Sequence, residues 1–351
     1  MGKDAIAVIG RMALGTTLLD GQTVKTNTLC EELRVRYPQR EFVYVDMYQY
    51  KKRALPILLG TLKAFIRCRH IFVLLSRNGR RFFFPLLTGL NRIFRRRLYH
   101  DVIGGALPGE AAKSKSLQRQ LNRFDVNWVE FSRMADELRD AGVTNAEVLP
   151  NFKRLQILKP EDLTAYRQEP FVFSMFSRVT REKGMTAAAE AVSHVNQTLG
   201  RVAAIVNIYG PVEESYQEEF DRILKDHADC VRYLGCIPQD QSVAALRSSF
   251  MLLFPSVYPG EGMPGTIIDA FSAGLPVIAT DWHFNGELVK TGETGYCYDW
   301  QQPQLLAEHI LHAVTHPEQV DAMRPVCLKE AEKYSPDTVM DLICKKMNEG
   351  A

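Results

Sequence analysis

Residues 258–279 read Tyr258-Pro-Gly-Glu-Gly-Met-Pro-Gly-Thr-Ile-Ile-Asp-Ala-Phe-Ser-Ala-Gly-Leu-Pro-Val-Ile-Ala279. The apolar run Met251 to Phe254 precedes them, and Pro276 to Ala279 closes them with a second such run. Short apolar runs of this kind are typical of strands buried in a parallel sheet. Between them the spacing predicts a glycine-rich loop and a helix that starts near Gly265–Thr266, with Gly274 and Pro276 as its stop. Gly260, Gly262 and Gly265 let backbone N–H groups approach a ligand, and a helix start favours negative charge. Glu261 and Asp269 lie eight positions apart, one in the loop and one in the first turns of the helix. Such a carboxylate pair can accept hydrogen bonds from sugar and ribose hydroxyls. Thr266-x-x-Asp269 also approximates a capping box, so the second carboxylate has a structural reading too. By its letters the loop satisfies G-x-G-x-x-G, with Asp281 standing 21 residues beyond Gly260, which keeps a nicotinamide-type dinucleotide reading open. Against that reading, Ser256 to Pro259 separates strand from first glycine, and Pro264 sits inside the turn.

The strand–loop–helix pattern repeats outward from this unit. Runs at Ala5 to Ile9, Phe42 to Asp46, Ile71 to Ser76, Arg97 to Ile103, Asn127 to Phe131 and Ala146 to Leu149 predict one sheet. A glycine-bearing loop and a helix over Thr23 to Arg36 follow the first of them. Runs at Phe171 to Ser177, Ala203 to Tyr209, Val231 to Leu234, Met251 to Phe254 and Pro276 to Ala279 predict a second sheet. Strands alternating with helices indicate doubly wound α/β domains, and 351 residues suit two of them. The expected division is residues 1–152, 153–335 and a last helix within 336–351, with a weakly periodic link near 150–170.

A second motif opens the later series: Phe176-Ser-Arg-Val-Thr-Arg-Glu-Lys-Gly-Met185. Arg178 follows a buried run directly, and Lys183-Gly184 sits just ahead of the next helix. A strand-end guanidinium and a helix-start ammonium five residues apart can reach one diphosphate. The plainer reading is a solvated loop with two cations.

Charge is divided unevenly. Residues 1–150 hold 25 Lys and Arg against 14 Asp and Glu, the remainder 18 against 27. No acidic residue occurs from Tyr48 to His100, a segment with 13 cations among Leu, Ile and Phe. This composition suits the headgroup region of an anionic membrane, so the basic residues 51–97 are expected to meet the inner membrane surface. A solvated basic face is the alternative, and no nucleic-acid recognition motif accompanies the charge. The apolar runs, such as Leu55 to Leu62, are far shorter than the roughly 20 residues of a spanning helix. Seven cysteines without a C-x-x-C pair, and no signal-peptide pattern at the start, predict reduced thiols and a cytoplasmic chain.

Together the two motifs resemble glycosyltransferase family 4, whose members have the GT-B fold, two Rossmann-like domains facing a cleft. Arg178, Lys183, Glu261-Gly262 and Ala273-Gly-Leu-Pro-Val match the family's Arg–Lys pair, E-x7-E loop–helix and A-x-G-x-P-V segments. Asp269 departs, because the family usually has Glu there. Gly21, in Asp20-Gly-Gln-Thr-Val-Lys-Thr, takes the place of the family's glycine loop facing the donor diphosphate. His100, in Tyr99-His-Asp, looks like its strand-end histidine near the donor sugar. Gly235, Cys236 and Ile237 resemble the segment that contacts the base through backbone groups. The resemblance implies retaining transfer of a hexosyl or related group from a nucleotide-diphosphate sugar, a UDP-sugar foremost. The acceptor would be a glycan or lipid-linked acceptor of cell-surface polysaccharide synthesis. Catalytic roles would fall to Arg178, Lys183, Glu261 and His100. Donor binding would add Gly262, Met263, Pro264, Gly265, Thr266 and Asp269 to the glycine and base segments. No D-x-D occurs in the chain, so no carboxylate clamp for a metal is evident, and the family is metal-independent.

Overall fold

A computed structural model describes residues 5–15, 21–165 and 168–349. Two compact units divide the chain, residues 1–154 with 336–351, and residues 155–335.

The first unit is built on six parallel strands: β1 (Ala5–Gly10), β2 (Phe42–Asp46), β3 (Cys68–Leu74), β4 (Arg97–Asp101), β5 (Val126–Val129) and β6 (Ala146–Val148). Their order is β2-β1-β3-β4-β5-β6. Every residue of β1 is buried, which explains an unbroken apolar run where a half-exposed strand would alternate. The last helix, Pro336–Asn348, sends Val339, Met340, Ile343 and Met347 into the same core as Ile6, Val8 and Phe72. Arg36 ties it to the first helix through Asp337 and Asp341, at 3.0 and 2.9 Å.

The second unit has strands β7 (Phe171–Phe176), β8 (Ala204–Tyr209), β9 (Val231–Tyr233), β10 (Met251–Phe254), β11 (Val277–Thr280) and β12 (Gly295–Tyr298). They are parallel in the order β12-β11-β10-β7-β8-β9. The chain leaves its first strand β7 toward β8 and returns to pair β10 on the other side. The loops after β7 and β10 therefore open side by side, at a topological switch point where doubly wound sheets bind ligands.

Strand β12 has no counterpart in the sequence reading. It is four residues long, starts with glycine and sits at the sheet edge, so neither length nor composition marks it. Nor is the segment near 150–170 a free link. Leu158 N–H donates to Ser272 O at 2.9 Å, and Arg324 donates to Thr164 O and Gly274 O at 2.5 and 3.0 Å.

Candidate functional site

The loop after β7 carries Arg178 and Lys183, and the loop after β10 carries Glu261. The two are locked together by backbone. Gly184 has φ +78°, and a Cβ there would lie 2.6 Å from Pro255 O, so only glycine permits this approach. Val257 N–H donates to Glu182 O at 2.8 Å. Across this junction Lys183 Nζ meets Glu261 Oε2 at 2.5 Å, and both side chains are buried. Ser256 Oγ donates to the same oxygen at 2.8 Å, and its own carbonyl accepts from Thr280 Oγ1 at 2.6 Å.

Tyr258 gathers the cations. Its ring centroid is 5.6 Å from the Arg178 guanidinium carbon and 5.2 Å from Lys183 Nζ, both within cation–π range. Lys183 also faces Phe254 at 5.2 Å. The carbonyl of Tyr258 is held by Trp282 Nε1 at 2.9 Å. Lys183 thus uses one of its three donors on a carboxylate and shows its remaining charge to two aromatic faces. Arg178 is exposed at the strand end.

The helix Gly265–Ser272 starts at the end of the glycine loop, and its first N–H groups lack intrahelical acceptors. Thr266 Oγ1 is buried without a hydrogen-bond partner at this helix start. The capping-box reading of Asp269 does not hold. The cap position is Pro264, with no side-chain cap bond, and Asp269 lies too far into the helix to reach it. Asp269 is 1% exposed, and its Oδ1 accepts from Ser242 Oγ at 3.0 Å. The G-x-G-x-x-G letters likewise do not form a dinucleotide turn. β10 ends at Phe254, six residues before Gly260, and the helix starts only at the third glycine.

Gly235 to Ile237 follow β9 and belong to the same edge. Gly210 N–H donates to Gly235 O at 2.9 Å, and a Cβ on Gly210 would lie 1.9 Å from Ser177 O. Only a glycine there lets the loops after β7, β8 and β9 close up. Arg178, Lys183, Glu261, Gly262 to Thr266 and the 235–237 segment are therefore drawn to one end of this sheet.

Gly21 and His100 belong to the other unit. Gly21 starts the helix Gly21–Arg36, while the Asp20 of its motif lies outside the described residues. His100 lies near the end of β4, and its Nε2 has no hydrogen-bond partner among the described residues. The ring is fully buried, edge-on to Phe84 at 4.9 Å, and Nδ1 meets Asn127 Oδ1 at 2.9 Å. Burial, assisted by Arg80, pushes its pKa down to about 3, so it is neutral at ordinary pH. The sequence reading treated Ser256 to Pro259 as a spacer and passed over Ser242. Both serines hold a site carboxylate, a role set by through-space neighbours that no local motif reveals.

Residues 170–316 match the family model described as Glycosyl transferases group 1. The amylovoran biosynthesis glycosyltransferase AmsK of Erwinia amylovora is 26% identical over 147 residues, 41% of this chain and 36% of AmsK. A UDP-Gal:alpha-D-GlcNAc-diphosphoundecaprenol alpha-1,3-galactosyltransferase of Escherichia coli is 27% identical over 161 residues, 42% of this chain and 40% of the relative. The chain thus spans less than half the length of these curated relatives. Among solved structures, Anabaena HepE in complex with UDP superposes with a TM-score of 0.77 at 16% identity, covering 98% of this chain and 100% of HepE. The apo lipopolysaccharide outer core galactosyltransferase WaaB gives 0.70 at 13%, covering 99% and 100%. The match to the glycosyl transferases group 1 model is confined to residues 170–316, and the whole chain has the fold of the GT-B glycosyltransferases.

Proposed function

We propose that the chain is a retaining, metal-independent glycosyltransferase that moves a hexosyl group from a UDP-sugar to a glycan or lipid-linked acceptor of cell-surface polysaccharide synthesis. One observation carries the reading: the half-satisfied ammonium of Lys183, paired to Glu261 at 2.5 Å beside exposed Arg178, at the switch point of the second sheet. The name of AmsK and the UDP bound to HepE support the polysaccharide and UDP readings.

The difficult event is departure of a diphosphate from the anomeric carbon, which builds negative charge on oxygen. Arg178, the free donors of Lys183 and the N–H groups of Gly265 and Thr266 stabilise that charge, and each such donor is worth about 10²–10³ in rate. The bond from C1 to the phosphate oxygen breaks. The acceptor oxygen bonds C1 on the same face, and its proton passes to the departing phosphate oxygen, with no covalent enzyme intermediate. Both protein contacts of Glu261 fall on Oε2, so Oε1 keeps its lone pairs for hydroxyls of the donor sugar. Gly235, Cys236 and Ile237 hold the base by backbone groups, Gly262 to Pro264 line the sugar, and Asp269, steadied by Ser242, accepts from the ribose. Gly21 is proposed as a further donor contact. His100 is proposed to stand at a strand end near the donor sugar.

Among the described residues no helix is long and apolar enough to cross a membrane. The basic segment 51–97 is proposed to draw the enzyme to the anionic inner face of the plasma membrane, and no nucleic acid is expected as a partner. Turnover of nucleotide sugars with a membrane extract tests the function. Arg178→Ala and Glu261→Ala should each lower transfer about 10²–10³-fold or more in a folded protein, and EDTA should leave the wild-type rate unchanged. Unchanged turnover by Arg178→Ala would reject the site.

A further inference from the structure

The helix Ala54–Arg67 in the first unit has apolar residues on two sides. Ile57, Thr61, Ala64 and Phe65 are buried against the sheet. Leu55, Leu58, Leu59, Leu62 and Ile66 remain 65, 46, 58, 38 and 55% exposed. Their spacing of i, i+3, i+4, i+7 and i+11 sets them in one stripe along the helix. Isolated exposed leucines are ordinary, but a contiguous ridge of five marks a surface meant to be covered.

Charge at the ridge decides what covers it. Lys51 and Lys52 precede the helix and Lys63 lies within it, and none of the three makes an ion pair among the described residues. Arg53, Arg67 and Arg69 add to them, with Arg67 held by Glu41 at 2.8 Å. No acidic residue occurs from Tyr48 to His100. A second copy docked ridge to ridge would set these cations against themselves, whereas anionic lipid satisfies both the leucines and the lysines.

We propose that Ala54–Arg67 is a lipid-docking helix. It lies flat at the headgroup boundary of an anionic bilayer, with the five apolar side chains inserted and the lysines among the phosphates. This deepens the electrostatic membrane reading by adding insertion, and it rests on the first unit without the donor site. Lys51 and Lys52 also line a cavity of about 460 Å³ with Arg11, Gln22, Tyr48 and Ser76, beyond the ends of β1, β2 and β3. Docking keeps that cavity close to the headgroups, where a lipid-borne acceptor carries its phosphate.

Flotation of the full chain with vesicles of phosphatidylcholine alone, or mixed with phosphatidylglycerol, tests the proposal. The wild type should bind the anionic vesicles, with a fraction that survives high salt. The triple variant Leu55→Gln, Leu59→Gln, Leu62→Gln should lose about tenfold or more of that binding, the salt-resistant fraction first. Equal flotation of the triple variant and wild type would overturn the proposal, as would binding wholly abolished by salt. A ridge-dependent dimer in sedimentation velocity would also overturn it. Should the triple variant misfold, Leu59→Trp gives a second reading. Its fluorescence should shift to the blue on anionic vesicles, and no shift contradicts insertion. A UDP thermal shift on the same proteins keeps failure here distinct from failure of the donor site.

Discussion

Two buried lysines, one in each unit, show what separates a structural charge from a working one. Lys25 Nζ donates to Glu130 Oε1 at 2.8 Å and to Val102 O at 3.1 Å, and is ion-paired with Asp101 Oδ1 at 2.7 Å, so three oxygens surround it. Burial opposes its charge, but the two carboxylates outweigh that and hold it protonated, well above the usual lysine range. Lys183 is as deeply buried, yet meets one carboxylate, and its other neighbours are the faces of Phe254 and Tyr258. The first lysine pairs with two carboxylates and braces the helix Gly21–Arg36 against β4. The second keeps donors in reserve beside an exposed arginine. Burial and an ion pair are common to both; the number of oxygens around the ammonium is what differs.

The contrast can be broken by mutation, and the largest effect is expected at Lys25. Lys25→Met leaves two carboxylates buried without a counter-charge and should destabilise the first unit by about 3–5 kcal/mol in denaturant unfolding. A loss below about 1 kcal/mol would show that the carboxylates are not paired as described. Arg178→Ala should behave oppositely, with a nearly unchanged melting temperature and a rate reduced about 10²–10³-fold, because its guanidinium is exposed and packs only loosely over the Tyr258 ring.

His100 supplies a pH test of the first unit. Its folded pKa of about 3 lies below the unfolded value near 6.5, so the unfolded chain takes up a proton that the native state refuses. The stability it contributes is complete above about pH 6.5 and is lost as pH falls toward about 3, at about 1.4 kcal/mol per unit. Relative to His100→Gln, the wild type should lose about 2 kcal/mol more between pH 6 and pH 4.5. Parallel pH profiles would place the ring in contact with solvent. The smallest effect belongs to Ser256→Ala. It removes one hydrogen bond to the Glu261 carboxylate, costs about 1.5 kcal/mol and should raise KM for the donor about tenfold.

Much of the fold was legible because most of the buried parallel strands announce themselves as short apolar runs between helical stretches; the sequence marks eleven of the twelve strands. β12 escaped because it is short, peripheral and opened by glycine. At the candidate site the legible parts were those fixed by local backbone chemistry: the glycine loop after β10 and the strand-end cations after β7. Ser256, Ser242 and Tyr258 were not, since their roles depend on residues 5, 27 and 75–80 positions away. The burial of His100 was hidden for the same reason. A strand end looks open in sequence, and only packing against Phe84 and Phe124 closes it. The basic segment showed its charge in composition, but its apolar ridge emerged only once the buried face of Ala54–Arg67 was known.

Nucleotide binding is the most direct test of the central claim, that the unspent charge of Arg178 and Lys183 receives a diphosphate. Titration calorimetry of UDP and UMP against wild type and Arg178→Ala compares the two phosphates without any acceptor. Wild type should prefer UDP over UMP by about tenfold or more, and Arg178→Ala should erase most of that preference while still binding UMP. Equal affinity for UDP and UMP in the wild type, or a preference that survives Arg178→Ala intact, would contradict it.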